Sequence, residues 1–263
     1  MPTPHATTQV APPSALLALT ELPRALAELS SLGMAAPFLA SAPRGDGHPV
    51  MVLPGFVTSD ISTTVLRRYL TQIGYDAHTW DLGRNLGPKA IGMQGEKLIA
   101  RLHAIHEATG QKVSLIGWSL GGVMARQLAR RDPDAVRQVI SLGSPFTGTP
   151  KATNVWRAYE MLTGQKIDDA DVTEQLRESA SPPPVPSTSI YTREDGVVAW
   201  QNCVEPRSAE TDNIEVHGSH CGLGVNPAVL YAVADRLAQA EGDWHPFSRR
   251  GLRALVYPFA GHA

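Results

Sequence analysis

Lys112-Val113-Ser114-Leu115-Ile116-Gly117-Trp118-Ser119-Leu120-Gly121-Gly122-Val123-Met124-Ala125-Arg126-Gln127-Leu128 passes from a strand pattern to a helix pattern through one sharp turn. The apolar run ending at Ile116 reads as a buried strand, and the run from Val123 has helical character. Between them Ser119 lies two residues from Gly117 on one side and two from Gly121 on the other, positions where a side chain would collide with the neighbouring elements. A turn this tight strains the backbone of its central residue and stands it at the top of a sheet. The first N–H groups of the following helix lack intrahelical partners, so they favour negative charge on an oxygen held there. Ser119 is therefore the candidate nucleophile, and the backbone N–H of Leu120 a candidate oxyanion donor.

Working outward, Pro49-Val50-Met51-Val52-Leu53 is the first strong strand. Ser62 is placed to cap a helix through Thr71, Gly74 to end it, and Tyr75 to Trp80 to form a second strand. A helix is predicted from Met93 to Ala108, closed by Gly110. Beyond Ser119, Val136 to Leu142, Ser189 to Thr192 and Asn213 to Val216 read as strands, and Pro227 to about Ala240 as the last helix. Several strand–helix units in sequence imply an α/β fold with a mostly parallel central sheet and helices on both faces, because parallel strands need crossovers. The rhythm breaks over about residues 146–187. There, a short helix from Val155 to Leu162 and the run Pro182-Pro183-Pro184 read as a small helical cap insertion with a stiff return.

The chain thus divides into a helical leader (1–47), an α/β domain (48–240) and a C-terminal extension (241–263). In the leader Leu22, Leu26 and Leu29 recur at helical spacing, so that stripe is expected to pack on the main domain, with lipid contact the lesser alternative.

At 263 residues the chain suits one large domain. A net charge of −2 and the lack of a long Lys/Arg run leave no electrostatic footprint for nucleic acid or an anionic membrane, which points to a small-molecule partner. The stretch from Ala15 to Ala40 is broken by Glu21, Pro23, Arg24 and Glu28, so it falls short of the roughly 18 apolar residues of a membrane span and no stable membrane insertion is expected. With no Lys or Arg before Arg24, the leader lacks the basic region of a secretory signal, and the expected location is cytoplasmic. No P-loop, dinucleotide glycine fingerprint or zinc spacing occurs, so neither cofactor nor metal is expected. Nothing in the composition sets an oligomeric state.

A serine hydroxyl needs a base, normally a histidine held by a carboxylate. In a sheet of this order the acid and the histidine belong in loops after later strands, in the chain order Ser, acid, His. Asp195 and His220 meet that requirement, with Glu194 the alternative acid and His217 the alternative base. Asp195-Gly196 reads as a tight turn presenting the aspartate, and His220 sits in loop while His217 is closer to the strand. His103 and His106 have an i, i+3 spacing without a third ligand nearby, so they read as a solvated helix face. His5, His48, His78, His245 and His262 read as structural or surface residues. The turn Leu53-Pro54-Gly55-Phe56 follows the first strand, where the N–H of Phe56 can supply the second oxyanion donor.

Taken in order, Leu53-Pro54-Gly55-Phe56, Gly117-Trp118-Ser119-Leu120-Gly121-Gly122, Gly143-Ser144-Pro145, Asp195-Gly196-Val197-Val198 and Gly218-Ser219-His220 resemble the lipase-like bacterial α/β-hydrolases over about residues 48–240. The His-Gly pair that many lipases place before the oxyanion residue is replaced by Leu53-Pro54. The resemblance implies a serine esterase with Ser119 as nucleophile, His220 as base and then acid, Asp195 as orienting carboxylate, and Phe56 and Leu120 as oxyanion donors. Its substrate would be a small-molecule or lipid-like ester with an apolar acyl group. An acyltransferase or a polyester depolymerase on the same fold, and a noncatalytic binding protein, are the alternatives. If Asp195 and His220 meet, Cys203 and Cys221 come near enough for a disulfide bracing both loops.

Overall fold

A computed structural model describes residues 10–251 and 253–262, with the backbone alone for residues 150, 170–172, 175 and 176. His5 lies outside them. The elements run α1 (Ala15–Ser31), α2 (Ala36–Ala40), β1 (Pro49–Leu53), α3 (Thr64–Ile73), β2 (Asp76–Thr79), α4 (Pro88–Ile91), α5 (Glu96–Thr109), β3 (Val113–Trp118), α6 (Leu120–Arg131) and β4 (Val136–Leu142). There follow α7 (Trp156–Thr163), α8 (Ala170–Ala180), β5 (Ser187–Tyr191), β6 (Thr211–Glu215), α9 (Pro227–Leu237), α10 (Arg253–Val256) and β7 (Phe259–Ala260).

The strands form one sheet in the order β2-β1-β3-β4-β5-β6-β7, parallel throughout except for β7, which runs antiparallel to β6. Because β1 and β3 to β6 are parallel neighbours, their C-terminal ends share one edge. Both faces of the sheet are covered. Val50, Val52, Ile116, Ile140, Ile190 and Ile214 pack on one side with Leu66 and Leu70 of α3 and Val229, Val233 and Leu237 of α9. Met51, Leu53, Leu115 and Val139 pack on the other with Leu98, Leu102 and Ile105 of α5 and Met124 and Leu128 of α6. The alternation along each strand explains why these sequences read as continuous apolar runs: both faces are dry.

Several boundaries differ from expectation for local reasons. Ser62 does not cap α3; its hydroxyl donates to the Ser59 carbonyl at 2.8 Å, and Thr63 occupies the N-cap position. The helix predicted from Met93 starts instead at Glu96, because Gly95 holds a left-handed conformation. The C-terminal extension returns to the sheet as β7, with the Tyr257 hydroxyl donating to the Ala228 carbonyl at 2.8 Å.

The leader packs on the domain by the face opposite to the one expected. Leu19, Leu22 and Leu26 are 80%, 69% and 66% exposed, whereas Glu21 is buried. Its polar side chains meet backbone N–H and carbonyl groups of two loops, an arrangement that the apolar periodicity does not register. Among the described residues no helix is long and apolar enough to cross a membrane.

Candidate active site

Ser119 stands between β3 and α6 with φ 54° and ψ −121°, a region that non-glycine residues rarely enter. The strain is imposed by close packing on both sides. A Cβ on Gly117 would lie 2.3 Å from Gly122 Cα, and one on Gly121 would lie 2.5 Å from the Leu53 carbonyl oxygen. Both glycines are therefore required if α6 is to pack this closely on the turn after β1.

The backbone N–H of Ser119 donates to the Leu142 carbonyl at 2.8 Å, which ties the turn to the end of β4. Gly143, the next residue, forms the floor under the other two candidates: a Cβ there would lie 3.1 Å from His220 Nδ1 and 3.3 Å from Asp195 Oδ2. Asp195 follows β5 and His220 follows β6, so three loops from one sheet edge converge on this point.

Asp195 Oδ2 lies 2.6 Å from His220 Nδ1. The other oxygen, Oδ1, accepts the N–H groups of Val197 and Val198 at 2.8 and 2.6 Å, so the carboxylate is a full acceptor and Nδ1 is the donor. That assignment leaves the lone pair of Nε2 free to take a proton. His220 is buried, and its imidazole is held above the ordinary histidine value; burial disfavours the charge, but the Asp195 carboxylate and, more weakly, that of Glu21 outweigh it. The alternatives Glu194 and His217 pair with each other at 2.8 Å on the surface. Among the described residues the Ser119 hydroxyl makes no hydrogen bond, a looseness common at nucleophiles before substrate arrives.

The N–H groups of Phe56 and Leu120 likewise have no acceptor among the described residues. The loop carrying Phe56 is held by Asn85, a buried residue that sequence reasoning did not single out. Its Nδ2 donates to the Pro54 carbonyl at 2.8 Å, and its backbone carbonyl accepts from Val57 N at 2.8 Å. Val57 has φ 56°, a costly conformation for a β-branched residue, and the Asn85 clasp is what maintains it.

Ser119, Phe56 and Leu120 line a cavity of about 160 Å³ whose other walls are largely apolar, including Ile91, Leu98, Val123, Met124 and Val155. The cap insertion roofs it. Tyr159 of α7 packs on Phe56 with ring centroids 5.3 Å apart, and Lys89 Nζ donates to the Leu162 carbonyl at 2.6 Å.

Cys203 and Cys221 are free thiols, not a bridge. Cys203 is buried with Tyr191 and Val198, its Sγ facing the Ala199 carbonyl, while the Cys221 thiol faces Glu21 and is pushed up to about 12 by burial and by that carboxylate. His103 pairs with Asp132, and His106 Nδ1 lies 2.8 Å from the Gln111 carbonyl. His48, read from the sequence as structural or surface, is structural. It is buried between Asp46 and Ser114, at 2.5 and 2.8 Å.

Residues 49–176 match the family model described as the alpha/beta hydrolase fold. Similar solved structures include lipase B of Aspergillus fumigatus, 19% identical, with 78% of this chain and 56% of that one covered and a TM-score of 0.57. The chain thus spans just over half the length of that lipase. The monoacylglycerol lipase of Paleococcus ferrophilus is 14% identical over 73% of this chain and 96% of its own, with a TM-score of 0.53. The pyrethroid hydrolase PytH is 18% identical over 72% and 96%, with a TM-score of 0.50. With its parallel sheet, its strained Ser119 turn and this match, the chain has the alpha/beta hydrolase fold.

Proposed function

We propose that this chain is a serine esterase that hydrolyses esters with apolar acyl groups through an acyl-enzyme on Ser119. The observation that carries the reading is the Asp195–His220 hydrogen bond at the same sheet edge as a strained serine that opens on an apolar cavity. Ser119 Oγ attacks the carbonyl carbon of the ester while His220 Nε2 takes the hydroxyl proton. The carbonyl electron pair moves onto oxygen, where the N–H groups of Phe56 and Leu120 stabilise it. When this intermediate collapses, the alcohol leaves with the proton from His220. Water then attacks the acyl group, giving a proton to His220 in turn, and the carboxylic acid departs as Ser119 regains its hydrogen.

Asp195 keeps Nδ1 protonated and stabilises the imidazolium that forms twice per cycle. The apolar walls favour an apolar acyl chain, and the roof formed by α7 over Phe56 favours a soluble ester over a polymer film. The test is the rate of p-nitrophenyl ester hydrolysis over a series of acyl lengths in the Ser119→Ala variant. It should fall by about 10⁶-fold from the wild-type rate, and a variant retaining the wild-type rate rejects the reading.

A further inference from the structure

The orientation of α1 is one that apolar burial would not choose. Turning Leu19, Leu22 and Leu26 to solvent forgoes the gain from burying three leucines, and a buried carboxylate is costly unless it is hydrogen-bonded. Glu21 is 4% exposed and fully engaged. Its Oε1 accepts Gly196 N at 2.7 Å, His220 N at 3.1 Å and Arg24 Nη2 at 2.9 Å, and its Oε2 accepts Cys221 N at 2.8 Å. Two helical turns on, Glu28 Oε1 accepts both the N–H and the hydroxyl of Ser219 at 2.7 Å, and Oε2 accepts Asn226 Nδ2 at 2.9 Å. Arg24 Nη1 donates to the carbonyls of Glu194 and Gly218 at 2.9 and 3.3 Å.

One face of one helix therefore grips the loop of Asp195 and the loop of His220 together. The fit leaves no slack: a Cβ on Gly196 would lie 2.4 Å from the Leu17 carbonyl carbon, and one on Gly222 would lie 2.3 Å from Glu28 Oε2.

We propose that Glu21 and Glu28 are positioning residues of the Ser119 site, holding the acid and histidine loops in register, and that Glu21 also supplies a second negative charge that stabilises the His220 imidazolium. The proposal rests on the Ser119 reading of that site. The charged and titratable groups around the imidazole are Asp195 from its own loop, Glu21 from α1 with Arg24 paired to it, and the Cys221 thiol next in chain. Glu21 acts in the same direction as Asp195 on the imidazole. Removing its charge lowers the imidazole pKa, so the acid limb of the pH–rate profile moves to lower pH while less imidazolium stabilisation remains for turnover.

The experiment compares wild type, Glu21→Gln and Glu28→Gln as full-length chains hydrolysing a short-chain p-nitrophenyl ester across pH. Rates are normalised to sites titrated with a fluorophosphonate. In Glu21→Gln, kcat should fall about tenfold or more, as loosened geometry predicts, with KM little changed and the acid limb at lower pH. Glu28→Gln should lose kcat without moving the limb, because its carboxylate touches Ser219 and not the imidazole loop residue itself. It also serves as the deciding variant if Glu21→Gln does not fold. Wild-type kcat in both variants overturns the proposal, as does a fall in Glu21→Gln with the limb unmoved. A wild-type protein that neither hydrolyses the ester nor takes the fluorophosphonate signals instead that the Ser119 reading has failed, and the proposal with it.

Discussion

At opposite ends of β3 the molecule carries two Ser, His and Asp arrays, and they differ in almost everything except their residue types. At the N-terminal end, Ser114 Oγ lies 2.8 Å from His48 Nε2, and His48 Nδ1 lies 2.5 Å from Asp46 Oδ1. Judged by hydrogen bonds alone this is the more complete set. Yet Ser114 is 1% exposed within a strand, paired with Val50 of β1, and does not line the cavity as Ser119 does. At the C-terminal end the serine hydroxyl is unpaired among the described residues, its backbone is strained, and two N–H groups without acceptors stand beside it on a cavity wall. The lesson is that a hydrogen-bonded triplet is cheap to assemble; strain, N–H groups without acceptors among the described residues and an adjoining cavity separate the arrangement proposed to be catalytic from the structural one.

The carboxylates break the comparison most sharply. Asp195→Asn removes the acceptor that sets the tautomer of His220, and ester hydrolysis should fall by about 10⁴-fold. Asp46→Asn should leave the rate per titrated site at the wild-type value and cost about 1 kcal/mol of stability in urea unfolding, since Asp46 is half exposed. Equal losses of rate in the two variants would erase the distinction.

A smaller effect sharpens it. Burial, helped by the nearby Arg137 charge, holds His48 below the ordinary histidine value against the pull of Asp46, whereas His220 is held above it. The two should therefore titrate on opposite sides of about 6.5 in an NMR pH series. The proposed base, His220, must be neutral to act, so activity should climb on the alkaline side of that value. A His48 midpoint above that of His220 would contradict the account.

What could be read from the residues, and what could not, follows the same division. The turn around Ser119 was legible because its constraints are local: strand, glycine, serine, glycine, helix. The convergence of Asp195 and His220 followed from strand order, since parallel strands deliver their following loops to one edge. Val136–Leu142 matched its strand to the residue, for a buried apolar run has no ambiguity of face. The polarity of α1 was not legible. Its leucines mark an apolar stripe, but the N–H groups of Gly196, Ser219, His220 and Cys221 that attract Glu21 and Glu28 exist only once the sheet is built. The signal available was the i, i+3, i+7 spacing of Glu21, Arg24 and Glu28 on one face. Asn85 was hidden for a similar reason: a single amide in a glycine-rich loop gains meaning only from the carbonyl of Pro54 opposite it. The two-residue β7 carries no pattern of its own and depends on β6 for its partners.

The central claim is that Ser119, and not the histidine-bonded Ser114, is the nucleophile. Peptide mapping by mass spectrometry after reaction with a fluorophosphonate tests it most directly. A single phosphonyl adduct on Ser119, absent in Ser119→Ala, is the predicted result; an adduct on Ser114, or labelling that persists in Ser119→Ala, would contradict it.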